Sequence, residues 1–169
     1  MSVCPGNLRL QLMPFRRHDA DRIATWVASP RELFHLAPST RAPLTRQKVL
    51  DWPRPGGTPY TYGEAGRPIV AYGELNPMRN DALHYWLGHI VVAPELRGTG
   101  LGSRFLCELF DTAFTDFAAR RISLVVFPEN DAACRCYERV GMRCCGEEFH
   151  TFSTDGPRFR LLRYERTFQ

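Results

Sequence analysis

Between residues 86 and 117 an apolar strand, a three-glycine loop and a long amphipathic helix follow one another without a break, and no other stretch limits the fold as tightly. Leu87, Ile90, Val91 and Val92 read as the strand, and Pro94 turns the chain towards Arg97. Gly98, Gly100 and Gly102 then alternate with Thr99 and Leu101, ahead of Ser103. In the helix, Leu101, Phe105, Leu106, Leu109, Phe110, Ala113, Phe114 and Phe117 share one face, opposite Arg104, Glu108, Asp111 and Thr115. This order is suited to phosphate. Glycines allow positive φ and close backbone approach, the free N–H groups of a helix start point into the same space, and Arg97 adds a cation at the entrance. Neither common nucleotide loop matches: Ser103 stands where a dinucleotide fingerprint needs its third glycine, and the Gly-Lys-Ser/Thr of a P-loop is absent. A nucleotide- or dinucleotide-binding enzyme is therefore disfavoured.

A second strand is expected at 122–127, broken by Pro128-Glu129-Asn130. Asn130 is placed to N-cap a short helix that Gly141 ends, with Ala133, Cys136, Tyr137 and Val140 on one face. Two spaced patterns now stand in order: Arg97-x-x-Gly100-x-Gly102 directly after a strand, and Asn130, Ala133, Tyr137, Gly141, Met142. They resemble the two motifs of the GNAT acyltransferase superfamily, Met142 replacing the usual Phe, and together cover residues 87–142.

The resemblance implies an α/β (α+β) fold of GNAT type, a mixed, mostly antiparallel sheet flanked by helices on both sides. Its strands at 83–92 and 121–127 would run parallel and splay apart to admit the pantetheine arm. It implies acetyl-CoA as co-substrate and no metal. The pyrophosphate would lie on Arg97, Gly98, Thr99, Gly100, Leu101, Gly102 and Ser103, the pantetheine along the backbone of Ile90, Val91 and Val92, with Asn130 nearby. The reaction implied is direct attack of a primary amine, from a small molecule or peptide, on the thioester.

Acyl transfer asks for an oriented carbonyl, a neutral amine and an acid for the departing thiolate. Tyr137 is the expected acid: a phenol of pKa ~10 protonating a thiolate whose conjugate acid lies near ~8.5 works uphill by about 2 kcal/mol, which local hydrogen bonding can offset. For the base, strict strand alternation sets His84, Trp86, Gly88 and Ile90 on one face and Tyr85, Leu87, His89 and Val91 on the other. Several branches of the resembling family carry Glu or His where Trp86 stands, and an indole cannot accept a proton. His84, two residues earlier on that face, and Glu74, late in the preceding strand, are the candidate bases, whereas His89 is read as a packed or capped residue. Trp86 also keeps a second reading open, a non-catalytic acyl-CoA-binding or regulatory module.

At 169 residues, 44% of them hydrophobic, one domain over 1–169 is expected. Apolar runs fall short of a membrane span and the N-terminal residues do not read as a signal peptide, so a cytoplasmic protein with no membrane partner is expected. The six cysteines form no Cys-x-x-Cys pair and are expected to be reduced thiols rather than metal ligands. The net charge of +4 suits a polyphosphate cofactor, while dispersed arginines without a basic helix argue against nucleic acid. A homodimer is allowed for. Elsewhere we expect a first strand carrying Leu8, Leu10 and Leu12 and a helix opened by Asp19 and bounded by Pro30. Short helices around 32–36 and 45–51 come next, in a segment (31–59) readable as a lid or as an irregular wrapping. A hairpin at 60–65 and 68–75, a turn at 76–81, and closing strands at 145–151 and 159–168 complete the chain.

Overall fold

The computed structural model describes residues 9–168. Seven strands, β1 (Gln11–Pro14), β2 (Thr58–Gly63), β3 (Ala71–Met78), β4 (Asp81–Val92), β5 (Arg121–Val126), β6 (Arg143–His150) and β7 (Phe159–Thr167), form one sheet in the order β1-β2-β3-β4-β5-β7-β6. All neighbours are antiparallel except β4 and β5. Five helices, α1 (Asp19–Ala24), α2 (Pro30–Leu36), α3 (Arg46–Leu50), α4 (Leu101–Phe117) and α5 (Asp131–Arg139), cover its two faces. The expected α/β class and the splayed parallel pair are both present.

The parallel pairing is brief. His84, Tyr85 and Trp86 of β4 lie opposite Arg121, Ile122 and Ser123 of β5, and beyond that register the strands part although β4 continues to Val92. Unpaired backbone on that side of β4 faces the gap.

A bulge lies just past the parting point. Tyr72 of β3 sits opposite Val91 and Glu74 opposite Gly88, so β3 contributes Gly73 where β4 contributes both His89 and Ile90. His89 takes φ +46°, a left-handed value uncommon for a residue with a side chain. Consequently the alternation read along this strand holds only as far as Gly88. Leu87 packs into the core under α4, but after the bulge Ile90 and Val92 do so, while Val91 joins the opposite core.

Each face has its own core. On one, Phe105, Leu106, Leu109, Phe110 and Ala113 of α4 pack on Leu75, Leu87, Ile122 and Leu124. Close approach requires Gly73 there, since a Cβ would stand 2.5 Å from Ile90 Cδ1 and 3.2 Å from Phe105 Cζ. Phe114, expected inward, is 47% exposed and has Phe168 as its neighbour at 5.6 Å, because the helix at that point overhangs the end of β7. On the other face Ile23, Trp26, Leu33, Val49 and Trp52 pack on Ile69, Tyr72 and Val91. Residues 31–59 thus carry part of a core rather than a loose wrapping.

Local signals explain most element ends. Ser29 and Thr45 accept from the N–H groups of Glu32 and Lys48 to cap α2 and α3, and Pro30 begins α2 at its first turn instead of merely ending α1. β3 runs on through Pro77 to Met78, further than its expected end, and β6 starts at Arg143. Leu8, assigned to the first strand, lies outside the described residues. β6 is an edge strand with a register shift between Cys144 and Gly146, and its Glu147 and Glu148 pair with Arg160 and Arg163 of β7.

Arg97 joins three elements. Its Nε donates to Val92 O (3.0 Å), one terminal nitrogen to Glu32 Oε1 (2.6 Å) and the other to Trp26 O (2.7 Å), tying the end of β4 to α2 and to the segment after α1. Hydrogen bonds to a charged group are each worth about 1.5–3 kcal/mol, and half-exposed ion pairs about 0–1 kcal/mol. Because the Arg97 side chain is 40% exposed, water replaces much of what these bonds contribute, and Arg97→Ala should lower stability by about 1–3 kcal/mol in urea unfolding, mostly surviving high salt, and Glu32→Gln by less. Unchanged stability in Arg97→Ala would contradict the bracing role.

Candidate active site

The parting of β4 and β5 opens a cleft of about 1280 Å³, room for a cofactor arm and an acceptor together. Its parts are set by strand ends, the glycine loop, α5 and the 31–54 segment.

At one end stands the glycine loop. Gly98 (φ +74°) and Gly100 (φ +86°) take left-handed conformations and have open space where a Cβ would lie, and Gly100 is the N-cap of α4. The first bond of the helix runs from Arg104 N–H to Gly100 O at 3.2 Å. Among the described residues, the amides from Gly98 to Ser103 have no partner, as expected of a helix start, and form a set of donors with the positive end of the dipole behind them. Ile90, Val91, Val92, Arg97, Gly102 and Asn130 line the cleft. Gly98, Thr99, Gly100 and Ser103 make up the loop and first helical turn beside it, while Leu101 is buried in the core. Thr99 Oγ1 closes the turn onto Leu96 O at 2.6 Å. Arg97, expected to offer a cation at the entrance, has its guanidinium engaged by Val92, Glu32 and Trp26 instead.

α5 forms one wall. Asn130 caps it, accepting from Ala133 N–H at 3.4 Å. Tyr137 faces the cleft with its ring 6.0 Å from that of Tyr164, and its hydroxyl has no hydrogen-bond partner among the described residues. Burial, with smaller contributions from the neighbouring Cys136 and Cys134, pushes its phenol well above the ordinary value, so the hydroxyl stays protonated.

The opposite wall comes from β3 and β4. Glu74 is 1% exposed; its Oε1 accepts from the Tyr72 hydroxyl (2.8 Å) and His89 Nδ1 (2.9 Å), and its Oε2 from Asn76 Nδ2 (3.2 Å). Burial alone would raise its pKa, but the His89, Tyr72 and Asn76 bonds outweigh it and hold the carboxyl below the usual range. Gly88 is required alongside, since a Cβ there would stand 2.8 Å from both Asn76 Nδ2 and Glu74 Oε2. The His89 ring stacks on Trp52 with centroids 4.5 Å apart and planes 4° from parallel, and Trp52 Nε1 is anchored on Thr40 Oγ1 at 3.0 Å. Trp86, also lining the cleft, lies beneath the Arg163 guanidinium at 5.4 Å.

The candidate bases part company here. Glu74 lines the cleft, whereas His84 does not: it belongs to the still-paired part of β4, with Nε2 2.6 Å from Ser123 Oγ. Burial, then the charge of Arg121, lowers its pKa. His89, read from alternation as a packed or capped residue away from Trp86, is brought to the same cleft as Trp86 and Glu74 by the bulge. Nothing in the local sequence marks that extra residue; a histidine beside a glycine next to the motif is the nearest signal.

The far end is aromatic. Phe34 of α2 meets Phe127 (5.1 Å) and Phe159 (5.0 Å), and His35 stacks on Phe127 with its Nε2 3.6 Å from Glu129. Among the described residues no cluster of three or more His, Cys, Asp or Glu could hold a metal ion, and no helix is long and apolar enough to cross a membrane.

Known proteins resemble the chain at two levels. The curated spermidine N(1)-acetyltransferase of Escherichia coli (strain K12) is 33% identical over 74 residues, 44% of this chain; the match spans only 40% of that protein's length. Three solved structures share the fold. The spermidine N-acetyltransferase of Vibrio cholerae, in complex with CoA and spermine, has a TM-score of 0.75 at 18% identity, over 94% of this chain and 95% of the other. A GNAT-family acetyltransferase from Bacillus anthracis gives 0.76 at 18% identity, with the same coverage. The ribosomal-protein-S5-alanine acetyltransferase of Vibrio fischeri gives 0.71 at 16% identity, over 94% and 92%. The sequence profile of the acetyltransferase (GNAT) family matches residues 20–142, from α1 through the glycine loop to the end of the second motif. Most of the chain, both motifs included, falls within that span, and the protein belongs to the GNAT acetyltransferase family.

Proposed function

We propose that the protein is an N-acetyltransferase that moves the acetyl group of acetyl-CoA to a primary amine of a small molecule or peptide. One observation carries the reading: a single cleft joins the unpartnered amides at the start of α4 to Tyr137 on one wall and the Glu74–His89 pair on the other. The donor set fits a pyrophosphate, because positive-φ glycines clear space over backbone N–H groups that lack partners. It does not depend on Arg97 as a phosphate ligand. The β4 backbone over Ile90, Val91 and Val92 has no strand beside it on the β5 side and offers pantetheine a ladder to join.

Bound acetyl-CoA supplies an activated acyl carbon, so the chain has to orient it, admit a neutral amine and protonate sulfur. Tyr137 is the acid in this reading. Burial makes its phenol a weaker acid than in water, and burial of the leaving thiolate makes that group a stronger base, a change that acts in the opposite sense on the proton transfer. The ionised Glu74 attracts a cationic acceptor to the opposite wall. Spermidine, named for the Escherichia coli and Vibrio cholerae proteins, is the first acceptor to try. A cytoplasmic setting belongs to the proposal and is in keeping with the free thiols of the described cysteines, Cys107, Cys134, Cys136, Cys144 and Cys145. Trp86 lines the cleft and sustains the second reading, an acyl-CoA-binding module without turnover.

Coenzyme A release from acetyl-CoA, measured with a panel of amines that includes spermidine, separates the two: turnover is expected, and binding with no release on any acceptor supports the module. Gly100→Val places a β-branched side chain at φ +86° over the donor set and should weaken acetyl-CoA binding by tenfold or more in calorimetry, with the fold retained. Tyr137→Phe keeps the packing and removes the hydroxyl. Its kcat should fall by roughly 10²–10⁴ with little change in acetyl-CoA affinity, and wild-type turnover under chemistry-limited conditions would reduce Tyr137 to a wall residue.

A further inference from the structure

We propose that His89 is the general base of the acetyl transfer and Glu74 the buried group that orients it; the proposal rests on the acetyltransferase reading above. Four observations converge. The bulge, with His89 at φ +46°, puts the imidazole on the Glu74 and Trp86 side of the strand, in the cleft. Its Nδ1 lies 2.9 Å from Glu74 Oε1, and an ionised carboxylate can only accept, so Nδ1 carries the proton and Nε2 the free lone pair. Among the described residues that Nε2 has no partner. The Trp52 ring, parallel at 4.5 Å and itself anchored on Thr40, fixes the imidazole plane.

Glu74 does not suit the role of direct base. Both of its oxygens already accept hydrogen bonds from Tyr72, His89 and Asn76, and its side chain is 1% exposed, against 21% for His89. A proton arriving at Nε2 makes an imidazolium beside that carboxylate, a pair whose charges cancel, so the wall tolerates the proton without an unpaired buried cation. The titratable groups that touch the ring or its partner are Glu74 and Tyr72, both on β3; the segment after α3 presents the uncharged indole of Trp52.

His89 Nε2 takes a proton from the acceptor's ammonium and frees the nitrogen lone pair; the C–N bond forms as the C–S bond breaks. Tyr137 gives its hydroxyl proton to the sulfur and regains one from the nitrogen that has become an amide. His89 then releases its proton to solvent through its exposed edge.

The test compares amines that differ in whether they need a base. A strongly basic amine is almost wholly ammonium at neutral pH, whereas methoxyamine is almost wholly neutral. The variant is His89→Asn, since asparagine tolerates the left-handed backbone at this position and leaves Glu74 its bonds from Tyr72 and Asn76. Coenzyme A release is followed with methoxyamine and with the fastest of spermidine, lysine and an alanine-ended peptide, alongside calorimetry of acetyl-CoA binding and thermal melting. The expected result is a loss of about 10²–10⁴ in kcat/KM for the basic amine and less than about tenfold for methoxyamine, with acetyl-CoA affinity retained. Equal loss on both amines, or no loss on either, overturns the base assignment and leaves the acetyltransferase standing. A wild-type protein that binds acetyl-CoA and acetylates no amine overturns both. Nitrogen NMR of the ¹⁵N-histidine-labelled wild type gives an independent answer: a proton on Nδ1 with Nε2 bare is expected, and the reverse tautomer overturns the proposal.

Discussion

Everything at the site depends on where two strands stop sharing hydrogen bonds. β4 and β5 hold together only from His84 to Trp86, and β4 then runs on alone to Val92. Here separation exposes polar backbone inside the molecule, an arrangement that needs either solvent or a ligand able to form a ladder. The cleft and the access to Tyr137 both follow from that early end.

The two cores let the gap exist without collapse. α4 and α5 hold one face through Phe105, Leu109, Phe110 and Val140, and α1 to α3 hold the other through Ile23, Leu33, Val49 and Trp52. Arg97 fastens the second body to the end of β4, so the glycine loop leaves a braced corner instead of a free strand end. Tyr72, Glu74 and Asn76 recur at every second position of β3 and point the same way, Glu74 and Asn76 at the cleft and Tyr72 in the core behind it. That period is what lets one buried carboxylate collect donors on both sides along its own strand and a third from β4.

Elements written in local periodicity were legible in the sequence: the α4 stripe, the glycine loop, the Asn130 cap and Gly141 stop of α5, and the paired strands between them. Others depend on distant residues. The partners of Arg97 lie 65 and 71 positions away, so its motif position suggested a phosphate cation when its donors serve α2 and the segment after α1. α2 and α3 are too short for a clear period, and only Ser29 and Thr45 announce them. The bulge at His89 and Ile90 has no local signature in the sequence. One extra residue reverses the face of every side chain after it, so alternation counted from Trp86 set His89 away from the indole that shares its cleft. The same counting put His84 and Trp86 on one face correctly, but it carries no information on where β5 departs, and His84 falls on the closed side of that point.

The outer border of the sheet has a bearing on how the chain behaves in company. A terminal strand with free N–H and C=O groups is a template on which another polypeptide can build. β6 occupies that position, yet its register slips between Cys144 and Gly146, and Glu147 and Glu148 are engaged with arginines of β7. A second polypeptide aligning there meets a kinked ladder and a row of carboxylates already committed inward, so continuous sheet extension along this border, the route to fibrous aggregates, is discouraged by the strand itself.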